Sequence, residues 1–257
     1  MKAIFFSLLG LFLAGVPTCK VKDVKSDSDP ITHELFTAEL QKYVTNDGWV
    51  DYDAWTKDTV GLTKYLELVS THYPNDEHWT HDEQFAYWIN AYNAYTIKLM
   101  LDHWPVKGIK EIKPGIGFVN SVWDQEFISI EGNVYSLNNI EHGIIRPKFQ
   151  DQRIHVAVNC ASVSCPQLLN KAYTAANVNE ELDEQVRRAF KSFRNDLSDP
   201  NNPVISPIFK WYGGDFEWND SSLEAFVEKY GEVDLPDGVK FGYMDYNWSA
   251  NSVANKQ

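Results

Sequence analysis

The longest run of apolar positions at helical spacing begins at Thr80 and predicts the central helix of the protein. Its first stripe, at steps of three and four, contains Phe85, Trp88, Ile89, Tyr92, Thr96, Leu99 and Met100. A second stripe on another face contains Ala86, Asn90, Asn93, Ile97 and Leu101. Thr80 and Glu83 fit a capping box at the start, and Pro105 predicts an end near His103. A helix that is apolar on most sides belongs in the middle of a domain.

Shorter patterns around this helix predict further helices and strands. Helical spacing is present in Thr32 to Val44, Asp58 to Val69, Ser136 to Ile145, Asn177 to Phe193 and Leu223 to Tyr230. Alternation or short apolar runs predict strands at Trp49 to Tyr52, Ile154 to Val158, Val204-Ile205 and Val239 to Tyr243, and a hairpin at Phe127 to Tyr135. We expect Asp58, Ser136 and Asn177 to cap their helices, and Pro147 to stop the helix that begins at Ser136.

The order of these elements favours an α+β fold, because helices and strands are interspersed without a regular strand–helix repeat. No linker interrupts residues 32–250. We therefore expect a single globular domain over residues 32–251, followed by a tail at 252–257. In this domain the buried central helix packs on a mostly antiparallel sheet, with the other helices around it.

The N-terminus has the pattern of an export signal. Met1-Lys2 is followed by an apolar run to Val16 that is short for a membrane span. Cys19 follows, as in a bacterial lipoprotein signal, although Thr18 stands where such signals usually have a smaller residue. We expect a signal peptide at 1–18, lipidation of Cys19 and a polar tether at 19–31. The expected location is the bacterial cell envelope, as a membrane-anchored lipoprotein; the alternative is a secreted or periplasmic protein.

The charge of the chain narrows its range of partners. The formal net charge is −13, which disfavours nucleic acid because that partner requires a basic face. It also disfavours electrostatic binding to anionic lipid, so we expect membrane contact only through the N-terminal lipid. The expected partner is a small-molecule or peptide ligand.

Residues 153–166 contain both cysteines that remain after Cys19, together with a histidine, and are the main candidate for chemistry. Cys160 is the candidate nucleophile, because a thiolate attacks carbonyl groups well when a neighbour lowers the pKa of the thiol. His142 is the candidate base, with Glu141 or another carboxylate to orient it. His155 is less favoured, since five residues of extended strand span about 16 Å and put the two side chains on opposite faces.

Amide and small polar side chains complete this candidate site. Asn90 and Asn93 share one face of the central helix and are candidate oxyanion donors. Asn159 and Ser162 flank Cys160, and together with Arg146 they are candidate binding residues.

A structural interpretation of the same residues stays open. Cys160 and Cys165 enclose four residues, and a turn there brings two cysteines to the separation of about 5.5 Å that a disulfide prefers. His142 and His155 then become buried histidines. Asn90 and Asn93 then bridge the central helix to a strand, as buried amides need partners.

Metal chemistry ranks third among the interpretations of this region. His142, His155, Cys160 and Cys165 form a plausible zinc ligand set by residue type, but their spacing matches no compact zinc motif. The chain has neither a glycine-rich phosphate loop nor a G-x-S-x-G motif. We therefore expect no metal and no cofactor.

Five segments of the chain resemble the bacterial and plant family labelled domain of unknown function 547. They are 88–94, 136–142 with Arg146-Pro147, 155–166, 209–212 with Asp215-Phe216, and 246–249 with Asn251. Ala250 stands where the family motif has a leucine. The resemblance implies one domain and highlights the same candidate residues, but it implies no particular reaction.

Two hypotheses for the function follow. The first is an envelope-anchored, thiol-dependent hydrolase or acyltransferase that acts on peptide or amide bonds. The second is a non-catalytic lipoprotein that binds a ligand or partner and carries a structural Cys160–Cys165 disulfide.

Overall fold

The computed structural model describes residues 21, 24–113 and 121–256. The predicted signal peptide and the predicted lipidation of Cys19 lie outside these residues. The described end of the predicted tether packs against the domain. There, the hydroxyl of Ser28 donates to the carbonyl of Tyr73 at 2.8 Å, and the carbonyl of Ser28 accepts from Trp79 Nε1 at 2.7 Å.

The described residues form nine α-helices, one π-helix and four short strands. The helices are α1 (Glu34–Tyr43), α2 (Tyr52–Trp55), α3 (Val60–Ser70), α4 (His81–His103), α5 (Arg146–Phe149), α6 (Ile154–Ala157), α7 (Val178–Phe190), α8 (Ile208–Trp211) and α9 (Leu223–Gly231). The π-helix spans Asn139–Ile145, and four 3₁₀ turns lie at Ile109–Glu111, Val122–Asp124, Gly213–Asp220 and Val253–Asn255. The strands are β1 (Ile128–Ile130), β2 (Asn133–Tyr135), β3 (Val204–Ile205) and β4 (Gly242–Tyr243).

Helix α4 is the central helix, as predicted. Its capping box is formed, since the Thr80 hydroxyl accepts from the Glu83 N–H and the Glu83 carboxylate accepts from the Thr80 N–H. Seventeen of its 23 residues are buried, which requires protein on nearly every side. Helices α1 and α3, the hairpin of β1 and β2 and the π-helix pack around it in the larger hydrophobic core.

A second, smaller core lies beside the first and is built mainly from aromatic rings. It joins α7, α9 and the segment around α8, with Phe190, Phe209, Phe216 and Phe226 in mutual contact. Val156 of α6 contributes to this core, whereas Ile154 of the same helix contributes to the larger one. Helix α6 therefore lies between the two cores.

The α+β class is confirmed, but the strands form less sheet than we expected. Strands β1 and β2 pair antiparallel around a turn in which Glu131 and Gly132 have positive φ angles of 46° and 73°, the conformation that matches the twist of a tight hairpin. Strands β3 and β4 pair parallel over two residues each. Among the described residues these two pairs are separate, so α4 packs mostly against helices.

The predicted strand from Ile154 to Val158 is wrong. The segment forms helix α6, in which the Val158 N–H donates to the Ile154 carbonyl at 3.0 Å. Its alternation does not mark a core face and a solvent face, because Ile154, His155, Val156 and Ala157 are all buried. No described strand pairs with this segment, and a helical turn satisfies the backbone locally.

Three smaller expectations are corrected. The region 49–52 forms isolated bridges at Val50, and α2 begins at Tyr52, so it is not a strand. Asp58 does not cap α3; it accepts hydrogen bonds from Lys42 at 2.7 Å and from a tyrosine hydroxyl. Pro147 does not stop the helix, because it lies in the first turn of α5, where the missing N–H costs little. Within the described part of the chain, no helix is long and apolar enough to cross a membrane.

Candidate functional site

A cavity of about 220 Å³ brings several of the predicted residues together. It lies among α4, the π-helix, the loop after α6 and the C-terminal segment. Its lining side chains are Tyr92, Trp123, Asn138, Glu141, His155, Val158, Cys160, Cys165, Ile208, Trp211, Tyr212, Tyr246 and Trp248. Of the predicted catalytic residues, the cavity therefore includes Glu141, His155 and Cys160 but not His142.

The loop after α6 holds Cys160 at the cavity wall in a defined conformation. Ala161, the next residue, has a φ angle of +57°, which is uncommon for a residue with a side chain. The Asn159 side chain fixes this turn, because its Oδ1 accepts from the Ala161 N–H at 2.8 Å and its Nδ2 donates to the Pro166 carbonyl at 2.7 Å. Asn159 thus shapes the loop, and it is not among the cavity-lining residues.

The surroundings of the Cys160 thiol favour its ionised form. Sγ lies 3.3 Å from the Ser162 hydroxyl and 3.3 Å from the Tyr246 hydroxyl, and the Cys160 N–H donates to Cys165 Sγ at 3.1 Å. The hydrogen bond with the Cys165 thiol and those with the two hydroxyls lower the pKa of the Cys160 thiol to about 7, although its burial opposes them. Burial raises the pKa of Cys165 well above its usual range. Both cysteines are free thiols in this structure, and the proposed disulfide stays a prediction.

A buried ion pair holds His155 in one orientation. Nε2 of His155 lies 2.7 Å from Oδ2 of Asp215, and Arg146 binds the same carboxylate with Nε at 2.6 Å and Nη2 at 2.5 Å. The ring of Tyr212 stacks on that of His155 with centroids 4.0 Å apart. Arg146 therefore positions Asp215 and is not among the cavity-lining residues.

The protonation of this group follows from its partners. Burial raises the pKa of Asp215, but hydrogen bonds from His155 and Arg146 outweigh that effect and lower it overall. Burial lowers the pKa of His155 despite its bond to Asp215. A neutral His155 must then donate from Nε2 to the carboxylate, which leaves Nδ1 as an acceptor. Nδ1 has no hydrogen-bond partner among the described residues.

A strand at residues 154–158 would separate His155 from Cys160, but this segment is a helix. A helix rises about 1.5 Å per residue, less than half the rise of a strand, so α6 keeps the two residues close enough to line one cavity. His142 is not among the cavity-lining residues, and its Nδ1 accepts a hydrogen bond from Arg146 Nη1 at 3.0 Å. In the described structure, no hydrogen bond joins Cys160 Sγ to either ring.

Asn90 and Asn93 of α4 bind backbone groups. Nδ2 of Asn90 donates to the Tyr173 carbonyl at 2.7 Å, and its Oδ1 accepts from the N–H of the same residue at 3.0 Å. Asn93 donates to the Ala157 carbonyl at 2.9 Å and accepts from the Asn159 N–H at 2.8 Å. Both asparagines therefore bridge the central helix to other backbone segments, as the structural interpretation predicts. These segments are loops and the end of α6, and none of them is a strand. Asn93 ties the cysteine loop to the central helix.

Glu141 projects from the π-helix and is almost fully buried, at 4% exposure. Burial, then the charge of Glu141 and a hydrogen bond with it, raise the pKa of the Tyr212 hydroxyl. The other carboxylate oxygen, Oε1, has no hydrogen-bond partner in the described residues and lies 3.9 Å from His142 Nδ1. Glu141 thus lines the cavity, has one carboxylate oxygen without a hydrogen-bond partner among the described residues, and does not hydrogen-bond to His142.

Two residues of the site were not identified from the sequence. Asp215 orients His155, and Tyr246 contacts the Cys160 thiol, but in the sequence both stand only within family motifs and no local pattern marks them. Of the aromatic side chains near Asp215, Trp211 is 50% exposed and lines the cavity, whereas Phe216 is fully buried. Within the described ranges, no group of three or more His, Cys, Asp or Glu side chains is arranged to hold a metal ion.

One family model matches part of the chain. Residues 77–190 match the family described as "Protein of unknown function, DUF547". The match supports the resemblance seen in the motifs and covers Glu141, His155 and both cavity cysteines, while Asp215 and Tyr246 lie outside it. No curated protein and no solved structure matches the chain.

Proposed function

We propose that the protein is a thiol-dependent hydrolase or acyltransferase that acts on peptide or amide bonds, with Cys160 as the nucleophile. The observation that carries the proposal is the Cys160 thiol, which lines the cavity and has a pKa lowered to about 7. An ordinary thiol has a pKa of about 8.5 and is only a few per cent ionised at neutral pH. Cys160 therefore supplies a thiolate without a base in contact with it.

The reaction proceeds through a thioester. Sγ of Cys160, already ionised by loss of its proton to solvent, forms a bond to the carbonyl carbon, the C–N bond breaks, and the leaving amine takes up a proton from solvent. Water, or another acceptor nucleophile, then attacks the thioester, releases the acyl group and returns a proton to sulfur. His155 is the base for this second step, because Asp215 orients its ring and Nδ1 is free to accept the proton.

The test measures the reactivity of Cys160 and turnover together. The probes are iodoacetamide, with labels mapped by mass spectrometry without reductant, and a panel of aminoacyl and acetyl amides of aminomethylcoumarin. We expect Cys160 to label fast near pH 7 and Cys160→Ser to abolish turnover while thermal unfolding is unchanged. Cys165→Ser is the matched control: it should keep turnover, with a raised pH midpoint because one hydrogen-bond partner of Cys160 is altered. Full turnover by Cys160→Ser would refute the proposal.

A second function, the binding of a ligand without catalysis, is favoured by one observation. In the described residues the Cys160 thiol contacts no histidine, and its loop is fixed by Asn93 and Asn159 as a structural element would be. This function predicts that Cys160 labels no faster than a free thiol at pH 7 and that Cys160→Ser keeps full ligand affinity.

We further propose attachment to the cell envelope through a lipid on Cys19. The apolar run to Val16 and the polar stretch after Cys19 support this. Cys19→Ala should move the protein from the membrane fraction to the soluble fraction of its native host. Membrane retention of that variant would refute the lipid anchor.

A further inference from the structure

We infer that the cavity binds a positively charged amine, and that the substrate is an acyl compound of about amino-acid size that carries an ammonium group. The inference concerns the ligand of the cavity that contains Cys160. Its extension from ligand to substrate rests on the proposed thiol chemistry, whereas the binding of the amine does not.

Two side chains that line the cavity carry buried acceptors without partners. Oε1 of Glu141 and Nδ1 of His155 are both buried, and neither has a hydrogen-bond partner among the described residues. Both side chains line the cavity. A buried acceptor that stays unpaired costs about 1–3 kcal/mol, and more when it is charged. A protonated amine has three N–H donors and no acceptor, so it complements the Glu141 carboxylate and leaves His155 Nδ1 to accept the proton in the proposed thiol chemistry.

The balance of charge favours the same ligand. Arg146, the cation of this region, is committed to Asp215 through two hydrogen bonds. His142 Nδ1 accepts a hydrogen bond from Arg146, so this nitrogen does not donate to Glu141. Among the described residues, no lysine or arginine forms an ion pair with the Glu141 carboxylate, and His142 Nδ1 lies 3.9 Å from it. A buried carboxylate is stable when a cation pairs with it, and a cationic ligand provides that cation.

An aromatic cluster also lines the cavity. Trp211, Tyr246 and Trp248 form a contiguous cluster, with ring centroids separated by 4.5–5.8 Å. Ring faces attract ammonium groups, and tryptophan does so most strongly. Lys110 demonstrates this property of the cluster, because its ammonium nitrogen lies 3.5 Å from the Trp248 ring centroid. Lys110 is exposed and is not among the cavity-lining residues.

The size of the cavity limits the ligand. A volume of about 220 Å³ is smaller than the roughly 300–1,000 Å³ of sites that enclose drug-sized molecules. One amino-acid-sized group therefore fills it. Since Cys160 lies in the same wall, the ammonium group and the reacting carbonyl belong to one small unit, as in an aminoacyl group or the first residue of a peptide.

Three isosteric probes test the inference: n-butylammonium, 1-butanol and butyrate. Their binding is followed by the fluorescence of the cavity tryptophans and by calorimetry at pH 7. We expect wild-type protein to prefer n-butylammonium over 1-butanol, and to reject butyrate. Glu141→Gln, which keeps the shape and removes the charge, should weaken n-butylammonium binding about 10- to 100-fold, the value of one charge-assisted hydrogen bond. Glu67→Gln, at an exposed position of α3, is the matched control and should change nothing.

Equal affinity of wild-type protein for n-butylammonium and 1-butanol would overturn the inference, and this comparison needs no folded variant. An unchanged affinity in folded Glu141→Gln would overturn it as well. The labelling of Cys160 by uncharged iodoacetamide separates this result from the proposed function. Fast labelling without ammonium preference leaves the thiol chemistry standing, and ammonium preference with an inert Cys160 leaves only the binding site.

Discussion

Replacing Tyr246 with phenylalanine tests the electrostatic account of the Cys160 thiol most directly. Burial raises the pKa of the Tyr246 hydroxyl well above its usual range, so this group keeps its proton and donates it to the sulfur 3.3 Å away. Ser162 in turn donates to the tyrosine oxygen at 3.2 Å, which aligns the hydroxyls. Tyr246→Phe removes one donor from the thiolate and leaves the ring in place.

The expected shift follows from the strength of one hydrogen bond to a charged group. Such a bond contributes about 1.5–3 kcal/mol, and one pKa unit corresponds to about 1.36 kcal/mol. The pKa of Cys160 should therefore rise from about 7 by roughly 1–2 units in the variant. At pH 7 the thiolate fraction then falls about 5- to 50-fold, and the alkylation rate falls with it. The variant also frees the one proton of the Ser162 hydroxyl, which can then be donated to the sulfur 3.3 Å away, and this favours the lower end of the range.

The assay is the rate of iodoacetamide labelling at Cys160 between pH 5 and pH 10, with the site confirmed by mass spectrometry. Tyr243→Phe, an exposed tyrosine three residues earlier, is the matched control and should keep the wild-type midpoint. A Tyr246→Phe midpoint equal to that of wild type would show that the hydroxyl does not stabilise the thiolate.

Two further predictions concern stability. Asn93→Ala should lower the free energy of unfolding by about 2–4 kcal/mol, because it leaves the buried Ala157 carbonyl and Asn159 N–H without partners. Urea denaturation measures this free energy. A folded variant that keeps wild-type stability and loses only turnover would favour the oxyanion role of Asn93 instead. Burial lowers the pKa of His33 to about 4, below the 6.5 of the unfolded chain. The contribution of neutral His33 to the free energy of unfolding is therefore complete above pH 6.5 and is lost as the pH falls toward 4. The free energy of unfolding should fall by about 3 kcal/mol across that pH range. His33→Asn should reduce the slope of the unfolding free energy against pH. An equal slope in the variant would contradict the assignment of this pH dependence to His33.

Local signals in the sequence identified the elements that depend on neighbouring residues. The apolar stripes behind Thr80 and its capping box predicted α4, since both operate within one or two helical turns. The turn at Glu131-Gly132 predicted the hairpin for the same reason. The same reasoning failed at residues 154–158. An alternating pattern predicts a strand when one face is buried and the other is exposed, but this segment is buried on all sides.

The sequence by itself determined the buried central helix and the α+β class, and it selected Cys160 as the candidate nucleophile, because periodicity, capping and residue chemistry are local properties. Only the tertiary structure decided the partners of the site. Cys160 meets Tyr246 across 86 residues and His155 meets Asp215 across 60 residues, and no local pattern encodes such contacts. They arise because the two hydrophobic cores pack on opposite sides of α6 and carry the C-terminal segment back to the cysteine loop.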